Sequence, residues 1–230
     1  MDLKIIAFDA DDTLFVNEPY FQKTEQVFCD LLSDYLPNHE LQKELFRIEI
    51  QNLDLYGYGI KGFVLSMIET AYLVSDHKIS PSTIGKIIAL GKEMIQQPIE
   101  LINGVEETLQ VLQGKYKLIV ATKGDLKDQQ RKLHDSGLGP YFHHIEVMAD
   151  KQVLNYQKLL QRLEVPPENF MMIGNSLKSD VLPVLELGGY GVHVPFHVTW
   201  EHEKISHQVE HPHFTAIDQL PDLLTILHLK

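Results

Sequence analysis

The stretch Ile5-Ile6-Ala7-Phe8-Asp9-Ala10-Asp11-Asp12-Thr13-Leu14 carries an apolar segment straight into three acids. Such a segment fits a strand buried on both faces of a parallel sheet. Proteins built on these sheets place their ligand crevice at the carboxyl ends of the strands, so the acids fall where a site is expected. Three crowded carboxylates repel one another unless a cation binds. Asp9 and Asp11 stand two residues apart and project to the same side of an extended chain, so one can attack while the other exchanges protons. Mg²⁺ suits such a site because it prefers oxygen ligands and keeps several waters. The competing reading is a strand end closed by an Asx-type turn, and Asp12 is assigned a structural role at that turn.

Outward from this segment, five short runs rich in Ile and Val read as strands: 3–8, 117–122, 145–148, 170–173 and 190–194. Helix-like segments at 125–136, 153–163 and 177–187 alternate with the later strands. This alternation predicts an α/β fold, a doubly wound parallel sheet with right-handed crossovers. Between the first two strands lies a long stretch with helical periodicity and no strand-like run. Helices are expected there at 20–36, 40–53, 61–74 and 82–96, punctuated by Pro37, the Gly57–Gly62 region and Pro81. The expected organisation is a core of residues 1–15 and 98–230 with an α-helical domain, 16–97, inserted into it. Pro98 marks the return, followed by a helix at 103–113.

The bulk composition narrows the partners. A chain of 230 residues that is 44% apolar can build one sizeable core plus a smaller accessory domain. Its formal charge of −12 opposes a nucleic-acid backbone or an anionic membrane surface as the main partner and favours a small molecule. Cys29 is the lone cysteine, so no intrachain disulfide forms, and no stretch approaches the length needed to span a bilayer. A cytoplasmic protein is expected.

The motif Asp9-x-Asp11-x-Thr13 after a hydrophobic strand resembles the first signature of the haloacid dehalogenase (HAD) superfamily, and further motifs follow in that family's order across almost the whole chain. The segment 118–124, Leu-Ile-Val-Ala-Thr-Lys-Gly, is similar to the second, in which the hydroxyl of Thr122 would bind a phosphoryl group; Lys123 stands beside it as a further substrate ligand. Lys151 matches the position of the family's phosphate-binding lysine, although Gln152 replaces the proline many relatives carry. The segment 172–180, Met-Ile-Gly-Asn-Ser-Leu-Lys-Ser-Asp, resembles the fourth motif, with Asn175 where an acid commonly binds Mg²⁺. An amide oxygen can still coordinate the metal, though without charge. The departure leaves two readings open, a working site with one less negative charge or a weakened one. Asp180 is the motif's other acid, acting through a metal-bound water or through Lys151.

The resemblance implies a helical cap and a Mg²⁺-dependent phosphomonoester hydrolase working on a small phosphorylated metabolite. Asp9 would attack phosphorus, Asp11 would serve as acid and then base, and Asp9, the Asp11 carbonyl, Asn175 and Asp180 would surround the metal. Phosphotransferase or mutase chemistry, haloacid dehalogenase chemistry, and a non-catalytic phospholigand-binding role are the alternatives; Asp11 speaks against the second, which needs neither Mg²⁺ nor a second acid. Two other signals are set aside. Gly57-x-Gly59-x-x-Gly62 lacks the buried strand that a dinucleotide fingerprint requires, and reads as a turn or a cap segment whose Tyr58 and Lys61 reach substrate. The C-terminal histidines, His193 to His213, are spaced too loosely for a compact metal site.

Overall fold

The computed structural model describes residues 2–229. They form two compact units, one built from 2–18, 99–123 and 129–229, the other from 19–98 and 124–128.

The first unit contains a six-stranded, wholly parallel sheet: β1 (Ile5–Phe8), β2 (Lys117–Lys123), β3 (His144–Met148), β4 (Phe170–Gly174), β5 (Tyr190–His193) and β6 (Phe214–Ala216), in the order β3-β2-β1-β4-β5-β6. This is the doubly wound α/β fold that the sequence predicts. β1 is central, with Ile5 opposite Lys117 on one side and Phe170 on the other. The chain winds outward through β2 and β3, then returns past β1 to β4, so the topological switch point lies at the end of β1.

Successive β1 residues face opposite ways, and both faces are covered. Ile6 and Phe8 join Val105 and Leu109 of α5 (Val105–Leu112) and Leu223 of α9 (Asp222–Ile226). Ile5 and Ala7 join Tyr156 and Leu159 of α7 (Val153–Leu163) and Val184 of α8 (Leu182–Glu186). Two covered faces explain why the strand reads as an unbroken apolar run. β6 was not expected: three residues in a stretch rich in His and Pro carry no readable period, and its pairing with β5 defines it.

The single helix expected over 177–187 is instead a π-type turn, Leu177–Val181, followed by α8. Pro183 has no N–H to give to the carbonyl of Ser179, four residues back. That carbonyl accepts the hydroxyl of Tyr156 at 3.0 Å, and the Ser176 hydroxyl caps the Ser179 N–H at 3.0 Å.

The second unit is helical. It comprises α1 (Glu18–Leu31, whose first residue belongs to the sheet unit), α2 (Asn38–Tyr56), α3 (Ile60–Val74) and α4 (Pro81–Gln96), around a core that includes Phe28, Leu45, Phe63, Met67 and Ile87. α1 stops five residues before the expected end, where Ser33 turns back to donate to the Asp30 carbonyl at 3.0 Å. Gly57 and Gly59, with φ of 72° and 107°, join α2 to α3 in a backbone conformation that side chains disfavour. The sixth helix, α6 (Leu126–Asp135), follows β2.

Gly91 on α4 tests the packing of this unit, because a Cβ there would run into Val64 of α3. Alanine gains up to about 1 kcal/mol of helix propensity over glycine, but overpacking against a stiff β-branched neighbour costs about 1–3 kcal/mol. Gly91→Ala should therefore lower stability, and the same change in a Val64→Ala background should raise it. Urea unfolding of the four proteins checks this double cycle; equal effects in both backgrounds would show that the two positions do not touch.

Candidate active site

The site is built where β1, β2, β3 and β4 end. The β1 ladder extends one residue, with the Asp9 N–H donating to the Ile173 carbonyl at 2.8 Å. Asp12, at φ 59°, then turns the chain, its carboxylate accepting the N–H groups of Asn17 at 2.8 Å and Glu18 at 3.0 Å. Burial lifts the Asp12 carboxyl to about 7 although these bonds pull the other way.

Lys151 follows β3 and is 3% exposed. Its ammonium donates to Asp9 Oδ1 and, at 2.6 Å, to Asp180 Oδ1. The other Asp180 oxygen accepts the Ser176 N–H at 3.0 Å, which places Asp180 as the holder of Lys151. Burial works against the Lys151 ammonium, but the two carboxylates outweigh it and raise its pKa. Burial lifts Asp9 to about 7 despite the pull of Lys151, with Asp180 and Asp11 adding to the rise. Gly174 is required beside this triad, since any Cβ there would meet the Asp180 side chain.

Asp9 Oδ2 faces a different set. Thr13 Oγ1 lies 3.4 Å from both Asp9 Oδ2 and Asn175 Oδ1, and accepts the Asn175 N–H at 3.1 Å. The donors gathered here, Asp9 Oδ2, Thr13 Oγ1 and Asn175 Oδ1, are all oxygens. That chemistry fits a hard cation such as Mg²⁺, which needs few protein ligands, and does not fit a closed nitrogen or sulfur cage. Thr122 is buried and its hydroxyl donates to the Lys123 carbonyl at 3.2 Å.

Three residues in this region were missed by sequence reasoning. Asp11 Oδ1 accepts from Lys132 at 2.5 Å and Oδ2 from Gln129 at 2.8 Å, both donors lying on α6. Glu203, in a short turn after β5, accepts from Lys123 at 2.6 Å, Ser176 at 2.5 Å and Ser179 at 2.6 Å. Lys123, expected among the substrate ligands, is thus held by Glu203 and Ser179. A polar residue on a helix, or a glutamate in a loop eighty residues away, gives no local signal of such partners. Lys61 pairs with Asp125 at 2.8 Å, and His193 lies 3.0 Å from the Asn175 carbonyl.

A sheet of this order, with an acid pair at the end of β1 and a buried lysine after β3, defines a class of hydrolases. A family model described as haloacid dehalogenase-like hydrolase matches residues 3–188, and the chain belongs to that family. A haloacid dehalogenase-like family hydrolase from Xanthomonas campestris is 35% identical, over 99% of this chain and 91% of its own, with a TM-score of 0.89. The 5-amino-6-(5-phospho-D-ribitylamino)uracil phosphatase YigB of Escherichia coli K12 is 24% identical over 78% of each chain. The HAD-hydrolase YfnB of Bacillus subtilis 168 is 30% identical over 39% of this chain, a match spanning 41% of YfnB. A structure of YfnB bound to magnesium shares the fold, with a TM-score of 0.65 over 100% of both chains.

The Glu203 cluster makes a measurable claim. Burial pushes this carboxyl up, but Lys123 and the two serine hydroxyls prevail and take it from 4.5 to about 2. A depressed folded-state pKa contributes stability that is present above the unfolded value and lost as pH falls toward the folded one. The shift corresponds to about 3 kcal/mol at neutral pH. Glu203→Gln should therefore be less stable than the parent at pH 7, with the gap closing between pH 5 and pH 2. Chaotrope unfolding at several pH values reads this; a constant gap would mean that the charge of Glu203 contributes nothing.

Proposed function

We propose that this protein is a Mg²⁺-dependent phosphomonoester hydrolase that acts on a small phosphorylated metabolite through an aspartyl-phosphate on Asp9. The observation that carries this reading is the division of the Asp9 carboxylate. Oδ1 is held by the buried Lys151, while Oδ2 faces Thr13 and Asn175, and a second acid stands two residues on.

In this reading an Asp9 oxygen attacks phosphorus in line with the leaving alkoxide. Lys151 offsets the repulsion between the carboxylate and the phosphoryl oxygens, and Thr122 with the strand-end N–H groups holds those oxygens. Asp11 gives its proton to the alkoxide as the P–O bond breaks. It then takes a proton from the water that attacks the phosphoryl group, which frees Asp9 and inorganic phosphate. Asp9, the Asp11 carbonyl and Asn175 would hold Mg²⁺, with Asp180 supporting from behind Lys151. When bound, the metal supplies charge neutralisation between carboxylate and phosphate.

The formal charge of −12 favours a small metabolite over nucleic acid or an anionic membrane, and no helix among the described residues is long and apolar enough to cross a membrane. The lone, buried Cys29 suits a cytoplasmic setting. The activity in YigB's name makes 5-amino-6-(5-phospho-D-ribitylamino)uracil the first substrate to try, alongside sugar phosphates, nucleotides and flavin-pathway phosphates.

Phosphate release from p-nitrophenyl phosphate should require added Mg²⁺ and stop with a chelator. Asp9→Asn should lose several orders of magnitude while keeping the fold; activity within about tenfold of the parent, or ~1.4 kcal/mol of barrier, would exclude Asp9 as the nucleophile. Metal-free halide release from a haloacid would favour dehalogenation instead.

At Asn175 a charged ligand should bind metal more tightly. Asn175→Asp is expected to lower the half-saturating Mg²⁺ concentration by on the order of tenfold and Asn175→Ala to raise it. Identical half-saturation in all three proteins would show that Asn175 does not touch the metal.

A further inference from the structure

We propose that Lys132 and Gln129 of α6 are positioning residues for Asp11, fixing where the acid/base carboxylate stands; this rests on the phosphatase reading above. The two residues are three apart and share one helix face. Together they take both oxygens of one carboxylate: Lys132 reaches Oδ1 at 2.5 Å and Gln129 reaches Oδ2 at 2.8 Å. Lys132 also donates to Asn17 Oδ1 at 3.1 Å, and its ammonium sits 5.5 Å from the centre of the Phe15 ring. One ammonium thereby joins the acid/base residue to the segment by which the chain leaves the sheet unit.

The state of Gln129 separates positioning from plain packing. It is 3% exposed, its amide nitrogen donates to Asp11 and, at 2.9 Å, to the Lys123 carbonyl, and its Oε1 is the buried side-chain oxygen or nitrogen without a partner among the described residues. Reversing the amide would set Oε1 against a carboxylate and a carbonyl, so the orientation is fixed. An apolar residue of similar size would fill the space without burying an unpartnered carbonyl, which costs free energy. A local rule broken in this way is expected where function demands the group, and the group it serves is Asp11.

Both half-reactions need the Asp11 carboxylate in place, but p-nitrophenolate leaves without a proton. With p-nitrophenyl phosphate, displacement of Asp11 should therefore slow hydrolysis of the phosphoenzyme and spare its formation. Lys132→Ala and Gln129→Leu should lower kcat by roughly tenfold or more, lower KM with it so that kcat/KM changes by less than about threefold, and release a burst of about one p-nitrophenol per site; Lys132→Arg should recover most of the loss. A Lys132→Ala kcat within about twofold of the parent, or a loss with neither burst nor rescue by arginine, overturns the proposal. If Lys132→Ala does not fold, Lys132→Met takes its place.

A parent that releases no phosphate with Mg²⁺ sinks the phosphatase reading alone. The positioning is then read from crystal structures of the parent and Lys132→Ala. Rotation of the Asp11 carboxylate in the variant supports it, and an unchanged Asp11 side chain overturns it.

Discussion

The contact on which the site depends is the buried ammonium of Lys151 between Asp9 and Asp180. Taking one charge out of water is expensive, and taking three is tolerable only when they are paired and hydrogen-bonded. Here every partner comes from the end of a different strand: Asp9 from β1, Lys151 after β3, Asp180 after β4. Removing Lys151 would leave two carboxylates facing each other in a poorly solvated place. The fold must bring these strand ends together, and the parallel order with β1 at the centre does so.

From that triad the bonding spreads without a break. Asp180 accepts from Ser176, Ser176 donates to Glu203, Glu203 receives Lys123, and the Lys123 carbonyl receives Gln129, which holds Asp11. Four carboxylates and three ammonium groups are thus linked through one network, and each loop fixes its neighbour. Rigidity of this kind is what the proposed attack by Asp9 would require, because a displacement of about 1 Å can cost on the order of 100-fold in rate.

What could be read from sequence follows from what is local. β1 announces itself because four consecutive buried residues meet an acid cluster, and α7 was legible to its last residue because its apolar face repeats at helical spacing. The motif residues Asp9, Asp11, Thr122, Lys151, Asn175 and Asp180 sit at strand ends, where the pattern of the chain marks them. The partners of those residues are another matter. Lys132 pairs across 121 positions and Glu203 with Lys123 across 80, and an isolated lysine or glutamate looks the same whether it meets water or a buried opposite charge. Nor does anything adjacent to Lys123 in the chain announce its bonds to Ser179 and Glu203. The π-type turn was hidden in the same way, since its cause joins Pro183 to the hydroxyl of a distant tyrosine.

The network also gives Asn175 a physical setting. Three ammonium groups against four carboxylates leave one negative charge uncompensated within the linked cluster, before any contribution from position 175. An aspartate there would make it two, in a place where burial already lifts Asp9 to about 7. A carboxylate at position 175 would raise the pull on a cation, but it would also raise the repulsion felt by Asp9 and, under the proposed function, by an incoming phosphate dianion. The amide keeps an oxygen in the same neighbourhood at lower electrostatic cost. In the same network Lys132 on α6 pairs with Asp11, and Lys123 at the end of β2 pairs with Glu203. A family motif read alone makes Asn175 look like a lost ligand; within this charge balance a neutral amide adds no further negative charge beside Asp9.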